Sequence, residues 1–238
     1  MGFYFLFKTS KGKKEMKYVI HTYPKRLWYV TRFLVPDMIS QGIKRDDIIV
    51  INDKNGNGNL QAFILSCELL KESCWHLQDD VLISKDFKTK TEVLGRLDRL
   101  VCGFCHYDFN DGATLCTGFT TSIFMYMSFP CIFIPAKYLK EFVNWFYLPK
   151  TQLKNKKEIE ENKNDDMLFY RYMNELHKND EIYNCKVCLV DHIDYLLGGS
   201  SINPRDHIVR ATYWYEEERN IELERKLKNY DKNKYESS

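Results

Sequence analysis

Long hydrophobic runs are missing from this chain. No stretch approaches the roughly 18 consecutive apolar residues of a membrane-spanning helix, so no membrane span is expected. The first residues, Met1-Gly2-Phe3-Tyr4-Phe5-Leu6-Phe7, lack the basic n-region of a secretory signal and are too short for one. Leu6 stands where a myristoylation motif needs Ser or Thr. The expected compartment is therefore the cytoplasm. Charge of one sign is also lacking: 35 Lys and Arg face 33 Asp and Glu, a formal net charge of +2. Such a balance makes no long-range field that would gather nucleic acid, and leaves at most a local basic groove. Internal repeats are absent as well.

Cysteine is not scarce. Eight occur, among them Cys102-Gly103-Phe104-Cys105 and Cys185-Lys186-Val187-Cys188, two C-x-x-C pairs of the kind that build a four-thiolate zinc site. About 80 residues separate the pairs, against the 15–20 of a zinc ribbon. Each pair also lies in a strand-like run and not in a turn-forming knuckle. Buried, reduced thiols are the expectation, with no disulfides in a cytoplasmic protein. A zinc-stabilised interaction module remains the alternative. Aromatics make up 15% of the chain. Rings at this density build cores or stack on planar and sugar-like ligands, and Trp75, Trp145 and Trp214 read as core.

At 238 residues, 44% hydrophobic and 29% charged, the composition is that of a soluble globular protein with room for a sizeable core. The expected organisation is an N-terminal extension over 1–16, a single catalytic-size domain over 17–205, and a charged, mainly helical tail over 206–238.

The stretch around which the chain is organised is Trp75-His76-Leu77-Gln78-Asp79-Asp80-Val81-Leu82-Ile83. Two carboxylates between apolar runs cost several kcal/mol to bury unless paired or bound to a metal. They mark either a polar turn or a divalent-metal site holding a phosphorylated ligand.

The rest of the chain bears on that choice. Lys17 to His21 reads as a strand ended by Thr22-Tyr23-Pro24, and Lys25 to Ser40 as a helix that Pro36 should kink or stop. Asp47 to Ile51 reads as a strand buried on both faces. After the loop Asp53 to Asn59, Leu60 to Leu70 has helical spacing, and Cys74 to Leu77 is a third strand. Strand, helix, strand, helix, strand is half of a doubly wound sheet. Its strand ends would bring Thr22 to Arg26, Asp53 to Asn59 and Gln78 to Asp80 to one rim, where such folds bind ligands. That convergence favours the metal-and-phosphate reading.

Further on, a helix is expected over Lys85 to Leu100 and another over Ala136 to Tyr147, with strand-like pieces around 100–109, 115–119 and 131–134. The polar run 150–164 is a solvated loop or a mobile lid. Asp165-Asp166 opens a helix over Met167 to His177; one Asp can cap it, and the other has no evident structural duty. Lys186 to Val190 is a strand that delivers Asp191-His192-Ile193-Asp194. The loop Leu197-Gly198-Gly199-Ser200-Ser201 follows, whose backbone amides can cradle an anion. Ala211 to Tyr230 is expected to be helical.

This order of features resembles the GT-A type glycosyltransferases, over residues 17 to about 205. The resemblance implies a Rossmann-type α/β fold, a mixed sheet flanked by helices. It implies transfer of a sugar from a nucleotide-diphosphate donor, a UDP-sugar foremost, to an acceptor hydroxyl, with Mn²⁺ or Mg²⁺ as cofactor and inversion at the sugar carbon. Thr22 and Arg26 are similar to the opening of the donor site, and Asp53 falls where such enzymes contact the nucleoside. Leu77-Gln78-Asp79-Asp80-Val81 resembles the family's acidic metal motif, although Gln78 replaces its first acid. Gln78 and Asp79 then belong to the donor site, and Asp80 becomes the chief metal ligand. By the same resemblance His192 completes the metal site, and Asp166 or Asp165 supplies the catalytic base. Gly199 and Ser200 of the late loop complete the donor contacts. Glycan, protein and modified nucleobase remain equal as acceptors. A sugar-nucleotide binder without turnover is the non-enzymatic alternative. Nucleotidyltransferases share the sheet but carry a Gly-rich loop after the first strand, and His21-Thr22-Tyr23-Pro24-Lys25-Arg26 has no glycine.

Overall fold

The computed structural model describes residues 15–70, 72–104, 119–120, 129–161, 165–185, 187–198, 210–211 and 214–230. The chain opens with strand β1 (Lys17–Thr22) and helix α1 (Pro24–Tyr29). A wider turn over Val30–Leu34 joins α1 to α2 (Val35–Ser40). Pro36 therefore does not end the helix. The Val35 N–H reaches back to the Val30 carbonyl, and the widened turn gives the proline ring the room that a regular helix denies it.

Strand β2 (Ile48–Asn52) leads through the 53–58 loop into α3 (Asn59–Leu69), then β3 (Cys74–Gln78) and the short β4 (Val81–Ile83). Helix α4 (Phe87–Leu94) follows, shorter than the Lys85 to Leu100 expected, then β5 (Val101–Cys102), β6 (Phe119–Thr120) and β7 (Cys131–Ile134). The second half holds α5 (Ala136–Phe146), α6 (Pro149–Lys154), α7 (Lys156–Glu161), α8 (Asp165–Leu176), β8 (Ile182–Asn184), β9 (Val190–His192) and α9 (Glu217–Lys228).

Among the described residues seven strands form one sheet in the order β2-β1-β3-β7-β5-β8-β6, and β4 pairs with β9 in a separate ribbon. The half β2-β1-β3 is parallel, β7 runs antiparallel to β3 and β5, and β8 is parallel to β5. This is a mixed α/β fold with a Rossmann-like parallel half. Strand β2 is the sheet edge, so it is not buried on both faces as its apolar run suggested; only Ile48 is fully buried.

Two apolar clusters cover the two faces, as the period-2 alternation of strand side chains requires. Tyr18, Ile20, Trp75, Leu77 and Phe133 face one, with Trp214 and Leu223 from the C-terminal segment. Val19, Cys74, Ile132 and Ile134 face the other, with Phe63, Phe142 and Phe169 from α3, α5 and α8. The C-terminal segment thus belongs to the packed body of the molecule. Residues 150–161, expected as a loop, are helical. Pro149 starts α6 at a position where its missing N–H costs nothing, and the Lys, Gln, Leu and Glu that follow are strong helix formers. Thr151 and Asn155 are buried there.

Candidate functional site

Parallel pairing sets the register that assembles the rim. His21 lies opposite Gln78 and Thr22 opposite Asn52, and the Asp53 N–H donates to the Thr22 carbonyl at 2.8 Å. The ends of β1, β2 and β3 therefore meet at one edge, with Arg26 entering from the first turns of α1 and Asp79-Asp80 leaving β3. The β4–β9 ribbon adds the last member. Val81 pairs with His192, and the Ile193 N–H donates to the Asp80 carbonyl at 2.8 Å. Thr22, Arg26, Asp53, Gln78, Asp79, Asp80 and His192 are thus brought to one rim.

At its centre five charged or ionisable groups are packed out of water. Arg26 Nη1 donates to Asp80 Oδ2, and to Asp79 Oδ1 at 3.2 Å. His192 Nε2 lies 3.3 Å from Asp80 Oδ2, and its Nδ1 lies 3.5 Å from Asp194 Oδ1. Arg26, Asp79, Asp80, His192 and Asp194 are all buried. Burial, then the neighbouring Asp80 charge, push the Asp79 carboxyl up to about 7, against the pull of Arg26 and the Thr22 hydroxyl. Burial works on Asp80 in the same direction, but His192 and Arg26 outweigh it and hold Asp80 well below the usual carboxylate range. Burial opposes the Arg26 charge in turn, and Asp80 and Asp79 more than restore it. The two adjacent acids are therefore inequivalent: Asp80 is the permanent carboxylate, and Asp79 titrates near neutrality.

Three buried oxygens at this rim have no hydrogen-bond partner among the described residues: Asn52 Oδ1, Asp79 Oδ2 and Asp80 Oδ1. A buried carboxylate oxygen left in this state costs on the order of 1–3 kcal/mol or more. Acceptors without donors are matched by what brings positive charge or N–H and O–H groups. Hard divalent cations suit them, held by one or two carboxylates with substrate phosphates and water completing the shell. Among the described residues no three His, Cys, Asp or Glu converge into a complete cage, so the protein's own share of such a shell is Asp80 and His192. The Asp194–His192 pair has the form of an orienting carboxylate behind a metal-ligating imidazole. The residues present fit Mn²⁺ or Mg²⁺ on these grounds.

Asp53 has a loop to hold. Its Oδ1 accepts from the Asn57 N–H at 2.8 Å and its Oδ2 from the Gly58 N–H at 2.6 Å. Asp165 and Asp166 stand at the start of α8, on the face of the sheet covered by the second cluster. Asp166 Oδ1 accepts from the Met167 N–H at 2.7 Å. Asp165 is buried, and burial, then the Asp166 charge, push its carboxyl up to about 7. No hydrogen bond or ion pair between described residues joins Asp165 to the Arg26, Asp79, Asp80 and His192 group. Gly199 and Ser200 lie outside the described residues, as do Cys105 and Cys116.

Cys102 packs in one cluster, and Cys185 and Cys188 pack in the other. Neighbouring residues of a strand face opposite ways, and the register puts Cys102 on the far face from Cys185. Among the described residues no three of His, Cys, Asp or Glu form a group that could hold a metal ion, and Cys105 lies outside them. Six cysteines are buried free thiols.

Residues that sequence reasoning missed are Asn52, Asp191, Asp194, Arg210 and Asn220. Asp194 had a local signal, a carboxylate two positions beyond His192. Asp191 is entirely buried, and its partners Arg210 and Asn220 are 19 and 29 residues away, a distance at which no local pattern speaks. Comparison of the chain with family models and with curated proteins gave no match.

Proposed function

We propose that the protein is a GT-A type glycosyltransferase, moving a sugar from a nucleotide-diphosphate donor, a UDP-sugar first, to an acceptor hydroxyl. One observation carries this reading. A buried acid pair with two unsatisfied carboxylate oxygens lies beside a carboxylate-backed histidine, at the rim where parallel strand ends converge. Rims of this kind are where open α/β sheets bind nucleotides.

Asp80 and His192 would hold Mn²⁺ or Mg²⁺, and the nitrogen ligand favours Mn²⁺. The bound ion supplies charge neutralisation at the departing diphosphate. Arg26 adds a second cation at the same place. It is already desolvated, so its attraction to phosphate oxygens is stronger than in water. Asp79 shares the Arg26 charge, and Gln78 and Thr22 present hydrogen-bonding groups at the adjoining strand ends. Asp53 shapes the loop over the nucleoside by fixing the Asn57 and Gly58 amides.

The acceptor oxygen forms a bond to the anomeric carbon as the bond from that carbon to the diphosphate oxygen breaks. The electron pair leaves on the diphosphate, and the acceptor proton goes to a carboxylate, Asp166 or Asp165. Single displacement inverts the sugar carbon. Release of UDP from a panel of UDP-sugars with sugar and peptide acceptors tests the reading, with product configuration read by NMR. Transfer with inversion, lost in Asp80→Asn, is expected. Binding of UDP–Mn²⁺ without turnover on any donor would leave a sugar-nucleotide binder instead.

A further inference from the structure

The β4–β9 ribbon that presents His192 to Asp80 is short. Each strand has three residues, and the ribbon is separate from the main sheet. Two-stranded ribbons of this size are marginal in water by themselves. The core holds this one through the buried Val81, Ile83 and Val190 and through the Leu189 N–H donating to the Gly103 carbonyl at 2.7 Å, and the C-terminal segment adds a polar hold on β9.

Asp191, the residue before His192, is the centre of that hold. Its side chain is 0% exposed. Oδ1 accepts from the His192 N–H at 3.0 Å and from the Ala211 N–H at 2.9 Å. Oδ2 accepts from Arg210 Nε at 2.9 Å and Nη2 at 2.6 Å, and from Asn220 Nδ2 at 2.7 Å. Five donors on one buried carboxylate make a satisfied network, which fixes geometry where a partly satisfied one would not. Arg210 aims two donors of its planar guanidinium, Nε and Nη2, at the single oxygen Oδ2. Asn220 is itself oriented, since its Oδ1 accepts from Trp214 Nε1 at 2.7 Å.

The same segment reaches the other wall of the site. Tyr230 stacks on Trp28 with ring centroids 5.0 Å apart and meets Phe33 edge-on at 5.5 Å. Trp28 is two residues from Arg26 on α1. Arg219 pairs with Asp37 on α2. Residues 210–230 therefore bind both the strand that carries His192 and the helix that carries Arg26. Neither side chain of the acid pair's two partners is set by local sequence alone.

We propose that Asp191, clamped by Arg210 and Asn220, is a positioning residue that holds His192 against Asp80, so that the C-terminal segment completes the nucleotide–metal site. This rests on the donor-site reading above. Asp191 points away from the acid pair, into Arg210 and Asn220, and acts through the His192 backbone. A loosened β9 would let the imidazole drift from Asp80 while leaving Arg26, Gln78 and Thr22 in place. The loss should then fall on the metal-dependent part of nucleotide binding. Orienting groups behind a ligating histidine are worth about 10–100-fold in metal affinity.

The test is calorimetric titration of UDP with and without Mn²⁺ on the full chain, its Arg210→Gln and Arg210→Lys variants, and Asn220→Ser should Arg210→Gln fail to fold. Lys85→Ala serves as control; it removes an exposed contact between the same segment and the body, Lys85 Nζ to Glu218 Oε1 at 3.0 Å. The proposal predicts that Arg210→Gln, or Asn220→Ser in its place, lowers the gain in UDP affinity from Mn²⁺ by about 10–100-fold. Affinity without metal should stay within about 2-fold, Arg210→Lys, which keeps the charge but not the planar pair of donors, should recover only part of the gain, and Lys85→Ala should match the parent. An unchanged gain in the variants of a parent that binds UDP–Mn²⁺ would overturn it, as would equal losses with and without metal. A parent with no metal-dependent affinity would overturn the donor-site reading and this proposal together.

Discussion

Asp165 is a carboxyl group that folding makes harder to ionise. It is buried and next to Asp166, and its folded pKa of about 7 lies above the ordinary Asp value near 3.9. Between roughly pH 4 and 7 the unfolded chain gives up a proton that the folded protein keeps, so stability falls as pH rises through that window. Above it the penalty is complete. Asp165→Asn removes the charge and keeps the shape. It should raise Tm at pH 8 by roughly 2–8 °C, the equivalent of about 1–2 kcal/mol in a chain of this size, and change it little at pH 4. Thermal denaturation at the two pH values checks this, and an equal loss at both would show that Asp165 stabilises the helix start instead. A stabilised variant without transfer activity would be the usual trade at a working acid. His21 has the opposite sign. Burial lowers it to about 4, so its contribution is lost as pH falls from about 6.5 toward 4, and measurements in that range contain both effects.

The joint between α6 and α7 turns on Asn155. It is 1% exposed, accepts from Arg171 Nη1 at 2.6 Å and donates to the Thr151 carbonyl at 3.0 Å. Asn155→Ala should cost about 1–3 kcal/mol, the range for breaking a buried hydrogen bond to a charged group, and leave UDP affinity unchanged. Denaturant titration beside calorimetry separates the two quantities. This region also shows where reading the sequence ran out. Residues 150–161 are nearly all polar, so no apolar period announces a helix, and only Pro149 and the Lys, Gln and Glu content do so. The parallel half was legible because β1 and α3 carry clean spacing between turn residues, and with it the rim of Thr22, Asp53 and Asp79-Asp80. Placing Asp191 and His192 inside strand β9, where a preceding strand was expected to end, needed the pairing with β4. That pairing joins segments over a hundred residues apart, and no local pattern encodes it.

At the scale of the molecule, both faces of the sheet are closed by aromatic-rich clusters, and among the described residues no helix is long and apolar enough to cross a membrane. The thiols belong to those clusters. Burial pushes Cys67, Cys74, Cys131 and Cys185 up from the ordinary thiol value, which keeps them unreactive. With Cys105 and Cys116 replaced by Ser, the native chain should react with Ellman's reagent only as fast as it unfolds, and prompt reaction would contradict the packing. The whole account converges on the acid pair at the rim. The most direct measurement is thermal stability with UDP, with and without Mn²⁺, on the parent chain and on Asp80→Asn. The account predicts stabilisation that needs both UDP and Mn²⁺, rising by about 2.7 kcal/mol at a hundredfold excess over Kd, and absent in Asp80→Asn. No shift with UDP, GDP, CDP or dTDP in the presence of Mn²⁺, or a shift that Asp80→Asn leaves intact, would contradict it.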